Sequence, residues 1–213
     1  MSTQMSKLLN NQQRGSKPRC HWITNGERDD VASRLTRLIE PWGQVRASDK
    51  WMPDGFDGTD EAELHKAKDL LTPSEREEIQ SWWFTIVRGK GPNFDIASTC
   101  TVTVEGATNP GLLLLEAKAY DKELEKGPKV LNEKSSLENH NHIQRAIVGA
   151  NVSLADGTGL EWKLSRETHY QMSNRFASAC KLAELGYPVI HVYLGFLNAK
   201  EMRDKGTPLL SGQ

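Results

Sequence analysis

Glu116 and Lys118 stand two residues apart at the end of GLLLLEAKAY, the stretch from Gly111 to Tyr120 in which four consecutive leucines run into charge. A carboxylate offers a hard oxygen to a divalent cation, and an ammonium can steady a water or a developing negative charge. Their use depends on whether the backbone aims them at one place. Four leucines in a row fit a strand covered on both faces better than a helix, because Pro110 and Gly111 open the run abruptly and a buried strand is about 4 to 8 residues long. Successive side chains on a strand alternate faces, so Glu116 and Lys118 project from the same one. The alternative use of the pair is an ordinary ion pair at a solvated strand end, which contributes at most about 1 kcal/mol.

A second carboxylate joins them if the preceding segment pairs with the leucine strand. Asn93 to Val104, NFDIASTCTVTV, is rich in β-branched residues, and the turn-formers EGATNPG separate it from the leucines. This predicts an antiparallel hairpin. With the turn centred between Ala107 and Thr108, Thr99 falls opposite Glu116, Ala97 opposite Lys118 and Asp95 opposite Tyr120. Asp95 then shares their face, whereas a slip of one residue would send it to the other.

The elements that must hold this hairpin are read from pattern and punctuation. Asn25 to Glu40 is a helix with Val31, Leu35, Leu38 and Ile39 on one stripe, ended by Pro41. Arg46 to Asp60 is a loop, whose acids Asp54, Asp57 and Asp60 do not fit a calcium loop. Thr59 to Leu71 is read as a polar helix. Thr72 opens another through TPSE, which supplies an N-cap, a proline at the first position and Glu75 for a capping box; Ile79, Trp82, Trp83 and Ile86 form its core stripe, and Gly89 and Gly91 stop it. Beyond the hairpin, 121–134 is an exposed connection, 135–154 a helix, and 156–163 a turn with a short strand. Ser165 to Gly186 is a helix capped by Ser165, with Met172, Phe176, Cys180 and Ala183 on its buried face, and Tyr187 to Leu197 is a further buried strand. His191 in that strand is read as a core histidine with its polar atoms satisfied. Adjacent His140 and His142 diverge and lack the rest of a metal ligand set.

Composition bounds the function. At 213 residues with 37% hydrophobic and 26% charged residues, the chain reads as one globular domain over 21–200, with a mobile arm at 1–20 and a frayed tail at 201–213. No apolar run approaches the roughly 20 residues of a membrane span, and the first twenty residues hold no signal-peptide core, so no membrane role and a cytoplasmic location are expected. Cys20, Cys100 and Cys180 are odd in number and widely spaced, which argues for reduced thiols. A net charge of −1 gives no global signature of nucleic-acid binding. The arm's Lys7, Arg14, Lys17 and Arg19 are read as solvated, with phosphate contact as the alternative.

An aspartate at the start of a hairpin, an apolar strand ending in Glu-x-Lys, then a helix and a buried strand together resemble the PD-(D/E)XK nuclease superfamily. The resemblance runs from Pro92 to Leu197, with Asn25 to Glu40 as a first core helix. One departure is Phe94, not proline, before Asp95. The resemblance implies a restriction-endonuclease-like α/β core, αβββαβ, with a mixed central sheet flanked by helices. It implies a magnesium-dependent endonuclease, manganese being a substitute, that acts on nucleic acid, with DNA expected. Asp95 and Glu116 would hold the metal with the backbone carbonyl of Ala117 as a further oxygen, and Lys118 would stand beside the attacking water. Glu40 or Glu27 would be the acid of the first helix, and Gln171, with Arg175 four residues on, would contact substrate. A non-catalytic binding module on the same fold is the other reading, and a homodimer stays among the options.

Overall fold

The computed structural model describes residues 4–85, 91–124, 127–129 and 137–210. The chain divides into two compact units where one domain was expected: unit 1 comprises Met1–Ala62, Phe94–Leu124 and Pro188–Gln213, and unit 2 comprises Glu63–Asn93 and Glu125–Tyr187. The protein is α/β, with a mixed sheet flanked by helices.

Unit 1 begins with structure where an arm was expected. Leu8 is buried, and helix α1, Ser16–Ile23, buries Cys20 and His21. Helix α2, Arg28–Ile39, has Asp29 and Asp30 in its first turn, where carboxylates favour the helix dipole. Its stripe of Val31, Ala32, Leu35 and Ile39 is buried, and Glu40–Pro41 ends it. Short strands β1, Gly43–Gln44, and β2, Trp51–Met52, both pair antiparallel with a long strand further on. Strands β3, Ala62–Glu63, and β4, Asn93–Phe94, make a separate two-stranded sheet. The helix read over Thr59 to Leu71 is absent: β3 is followed by a single 3-10 turn over Leu64–Lys66, and burial of Ala62, Leu64 and Ala67 overrides local propensity.

The long strand is β5, Ile96–Val104, joined to β6, Ala107–Lys118, by Glu105 and Gly106 at φ 50° and 80°. Two left-handed residues make the tight turn whose twist suits a hairpin, and glycine takes this conformation without strain. Val104 pairs with Ala107 and Ile96 with Leu115. Thr99 thus faces Leu112 where Glu116 was expected, a slip of four residues. Parallel to β6 on its other side runs β7, Val189–Gly195, giving the order β1-β5-β6-β7. Gly111 permits that approach, since a Cβ there would stand 2.4 Å from the Pro188 carbonyl oxygen. Leu113, Leu115 and Ala117 pack with Ile96, Cys20 and the α2 stripe in one core. The tail from 201 was expected to fray, but its described part, 201–210, returns to the chain just beyond β6: Met202 is buried, the Asp121 N–H donates to the Thr207 carbonyl and Tyr120 bridges Pro208.

In unit 2, helix α3, Pro73–Trp83, has the expected capping box, with the Thr72 N–H donating to Glu75 Oε2 at 2.7 Å. Ile79 and Trp83 are buried; Ile86 and Gly89 of the expected stripe and stop lie outside the described residues. Helix α4, Leu137–Thr158, continues past the turn read at Asp156, and the short strand read over 156–163 does not form. Instead the Asn151 side chain takes both backbone groups of Leu164, at 2.8 Å each, in the place of a strand partner. Helix α5, Tyr170–Glu184, starts five residues later than expected. Ser165 Oγ accepts from the Glu167 N–H in a local turn, and His169 at φ 49° becomes the N-cap. The buried residues of α5 are Ser173, Asn174, Arg175, Ala177, Ser178 and Leu182, while Met172 and Ala183 of the expected face are exposed.

Candidate functional site

The hairpin delivers three side chains to the C-terminal end of β6, all within unit 1. Because the observed register differs from the expected one by an even number of residues, the faces are preserved. Continuing the ladder past Ile96 and Leu115 brings Asp95 level with Glu116. Asp95 is not itself in a strand: the backbone bends there between β4 and β5, and its carboxylate takes over the pairing, Oδ2 accepting from the Ala117 N–H at 2.7 Å. A strand residue's N–H and C=O point to the same edge, so the Ala117 carbonyl faces the Asp95 side.

Glu116 and Lys118 alternate with Leu115 and Ala117, and so leave the face opposite that core. The ammonium donates to Glu116 Oε1 at 2.5 Å. Their side chains are only 3% and 9% exposed, so the pair is a buried one and not the solvated strand-end contact that the sequence left open. On the β7 side Tyr193 stands level with Glu116 and Gly195 with Lys118, and the Lys118 carbonyl accepts from the Phe196 N–H at 2.7 Å.

Electrostatics mark the site. Burial first, and the Glu116 carboxylate second, push the Asp95 carboxyl up to about 7, against the pull of the Ala117 N–H and the Lys118 ammonium, with Glu61 adding a further push upward. The Cys20 thiol on α1 is pushed well above its ordinary value by burial, then by Asp95, Glu116, Glu123 and Glu61. Glu61 was missed in the sequence because it sits in the segment misread as a helix. It pairs with Lys17 at 2.8 Å. Neither Glu27, exposed at the N-cap of α2, nor Glu40, exposed at its end, is among the charges acting on Asp95. The other basic residues of the first segment also pair within unit 1: Lys7 with Asp57, Arg14 with Asp204 and Arg19 with Glu201.

Gln171 and Arg175 belong to α5 in unit 2. Gln171 is exposed in the first turn, whereas Arg175 is buried and donates to Asn93 Oδ1 at 3.4 Å. The strand read as buried is only partly so: His191 is half-buried, its ring packing edge-on against Phe94, centroids 5.7 Å apart, and tilted against Tyr193 at 5.0 Å, contacts that hold it through its ring where satisfied ring nitrogens were expected. His140 and His142 diverge as expected, His142 Nε2 meeting the Trp82 carbonyl at 2.8 Å.

The donors at the end of β6 are two carboxylates and a backbone carbonyl, a hard-oxygen set. Among the described residues no group of three or more His, Cys, Asp or Glu is placed to hold a metal ion. Magnesium needs no such group: it is commonly held by one or two carboxylates and keeps water in its remaining positions. The fit is supported by Asp95 itself, whose ionisation is opposed by burial and by a neighbouring carboxylate that a cation would offset. No helix of the described residues is long and apolar enough to cross a membrane. No protein-family model matches the chain, and no curated protein or solved structure matches it.

Proposed function

We propose that the protein is a metal-dependent nuclease that hydrolyses phosphodiester bonds in DNA, on a restriction-endonuclease-like core with Asp95, Glu116 and Lys118 as its centre. The observation that carries this reading is the meeting of two carboxylates and an ammonium at a buried strand end, with Asp95 locked onto the Ala117 N–H and pushed up to about 7. Open α/β sheets tend to take ligands beyond the carboxyl ends of their strands. A bound magnesium or manganese ion would neutralise the phosphodiester and make a coordinated water more acidic. Asp95, Glu116 and the Ala117 carbonyl would hold that ion. Lys118, fixed beside Glu116 Oε1, holds a positive charge where it can orient the nucleophile and stabilise charge developing on phosphorus. Gln171 and Arg175 both belong to unit 2, where buried Arg175 is placed to order its own unit through Asn93.

Cleavage of supercoiled plasmid with magnesium or manganese, and its arrest by chelator, tests the reading. Asp95→Ala and Glu116→Ala should each abolish cleavage and weaken metal binding in calorimetry. Lys118→Ala should lose on the order of 100-fold in rate with metal and DNA binding retained, because its contribution is made in the transition state. Wild-type metal binding in both carboxylate variants would overturn the assignment. A non-catalytic binding module is the second reading, favoured by the closed Lys118–Glu116 pair, in which each charge already satisfies the other. It predicts DNA binding without turnover under any divalent metal.

A further inference from the structure

Unit 2 gathers positive charge in a place where the nuclease reading has no use for it. Lys129 lies beside the start of α5: its backbone N–H donates to the Arg166 carbonyl at 2.9 Å, and its ammonium donates to Tyr170 Oη at 3.2 Å while standing 4.8 Å from that ring's centroid. Arg166 in turn donates to the His140 carbonyl at 2.9 Å, which brings the first turn of α4 to the same spot. Two cations and the positive ends of two helices therefore converge. The compensating charge is small. Among the described residues Lys129 has no carboxylate partner, and Arg166 has one, Glu167, whose side chain is 61% exposed. Glu138, in the first turn of α4, is exposed as well.

Two further observations point to an anion site. His140 is only 8% exposed, yet its Nδ1 has no hydrogen-bond partner, although a buried polar atom normally finds one. Lys129 and Arg166 both act on that ring's charge, so the imidazole lies within the same cluster. The N-cap of α5, His169, supplies no side-chain cap; the Tyr170 N–H donates to the Gly127 carbonyl at 3.3 Å, and the next turn's N–H groups have no side-chain cap from His169.

We infer that Lys129, Arg166 and the Nδ1 of His140, between the first turns of α4 and α5, bind an oxyanion of the phosphate class, taken either as free phosphate or as a phosphodiester of a nucleic-acid strand. A phosphate group presents several acceptor oxygens, enough to receive from the ammonium, the guanidinium and an Nδ1–H together. Burial first, and the Arg166 charge second, hold the Lys129 ammonium below its ordinary pKa. The inference does not depend on the Asp95 centre.

The test is calorimetric titration of the full chain with inorganic phosphate, and separately with a short single-stranded oligonucleotide, in metal-free buffer with chelator and at constant ionic strength. Wild-type protein should bind phosphate saturably. Lys129→Met keeps the apolar stem and should weaken binding by about tenfold or more, in line with the loss of one charge-assisted hydrogen bond, while Lys129→Arg should retain it. Circular dichroism and melting would verify that both variants fold. Parallel loss of oligonucleotide binding in Lys129→Met identifies the phosphodiester as the source, and unchanged oligonucleotide binding identifies free phosphate. Absence of saturable phosphate binding by wild-type protein, or equal binding by folded Lys129→Met, overturns the inference.

Discussion

Replacing Lys118 by Met removes the ammonium but keeps most of the side chain's apolar volume, and it should be among the most damaging single changes in unit 1. The Nζ to Oε1 distance is 2.5 Å and the two side chains are 9% and 3% exposed. At an effective dielectric near 20, two unit charges at that separation attract by roughly 6 to 7 kcal/mol before desolvation is subtracted. Desolvation takes most of this back, so the pair as a whole adds little net stability. Removing one partner is different, because the remaining carboxylate stays buried with the ammonium beside it gone, at a cost of about 3 to 5 kcal/mol. At roughly 2 to 4 °C per kcal/mol for a chain of this size, the melting temperature should fall by on the order of 10 °C. Glu116→Gln combined with Lys118→Met should recover most of the loss, and the coupling in the double-mutant cycle measures the interaction. Because the chain has two units, native-state hydrogen exchange of the β6 amides is the suitable assay, since it reads unit 1 directly. A Lys118→Met loss below about 1 kcal/mol, or no recovery in the double variant, would show that the pair is solvated in solution and would refute the reasoning.

Asp95 sets a pH dependence of known sign. Its folded-state value of about 7 lies above the unfolded one near 4, so its contribution to stability is full below about pH 4 and is lost as the pH rises toward 7. Urea midpoints of unit 1 should therefore show a fall across that window which Asp95→Asn flattens, and an unchanged profile in Asp95→Asn would remove the carboxyl as its source. Thr72→Ala removes the side-chain half of the capping box of α3, leaving its backbone N–H to Glu75, and should cost about 1 kcal/mol of unit 2 stability; a loss within about 0.2 kcal/mol would show that the helix start is held without the hydroxyl. Gly111→Ala forces a Cβ to 2.4 Å from the Pro188 carbonyl and should push β7 away from β6, seen as faster amide exchange in β7. Unchanged protection there would contradict the close approach.

The sequence made the site's face legible while leaving its register uncertain. Alternation fixes which strand residues point together, and it survives any even slip, so Asp95 kept company with Glu116 although the turn moved from Ala107 and Thr108 to Glu105 and Gly106. The turn was displaced because Gly106 offers the left-handed conformation and the pair Ala107–Thr108 does not, a signal present in EGATNPG. Burial of the Glu116–Lys118 pair was less visible, since it depends on chain more than seventy residues away that becomes β7. Helix α2 was found close to its limits and the start of α3 at its capping box, whereas α3 ends at Trp83, where Phe84 turns extended, short of the Ile86 it was expected to include. Helix α5 was placed five residues early because Ser165 is as good a turn former as a cap, and its serine-rich buried face carries no apolar period to read. The cluster of Lys129, Arg166 and His140 had no local pattern at all, being assembled from three separate stretches.

The placement of β7 also governs the order in which the molecule can be completed during synthesis. The hairpin of β5 and β6 needs only a two-residue turn and can close as soon as Lys118 has left the ribosome, while the pairing of Leu112 with Val189 must wait until all of α4 and α5 has been made. Throughout that interval the leucines of β6 present an open, hydrogen-bonding edge, the kind of surface on which chains aggregate. Glu116 and Lys118 sit on this same edge strand, so the charges that make its end a candidate centre also interrupt an otherwise uniform apolar ribbon while its partner is still unmade. The nascent chain is thus most exposed to misassociation over the span between Lys118 and Val189, and a circular permutation that opens the chain between α5 and β7, so that β7 is made before β6, would be expected to raise the yield of folded protein.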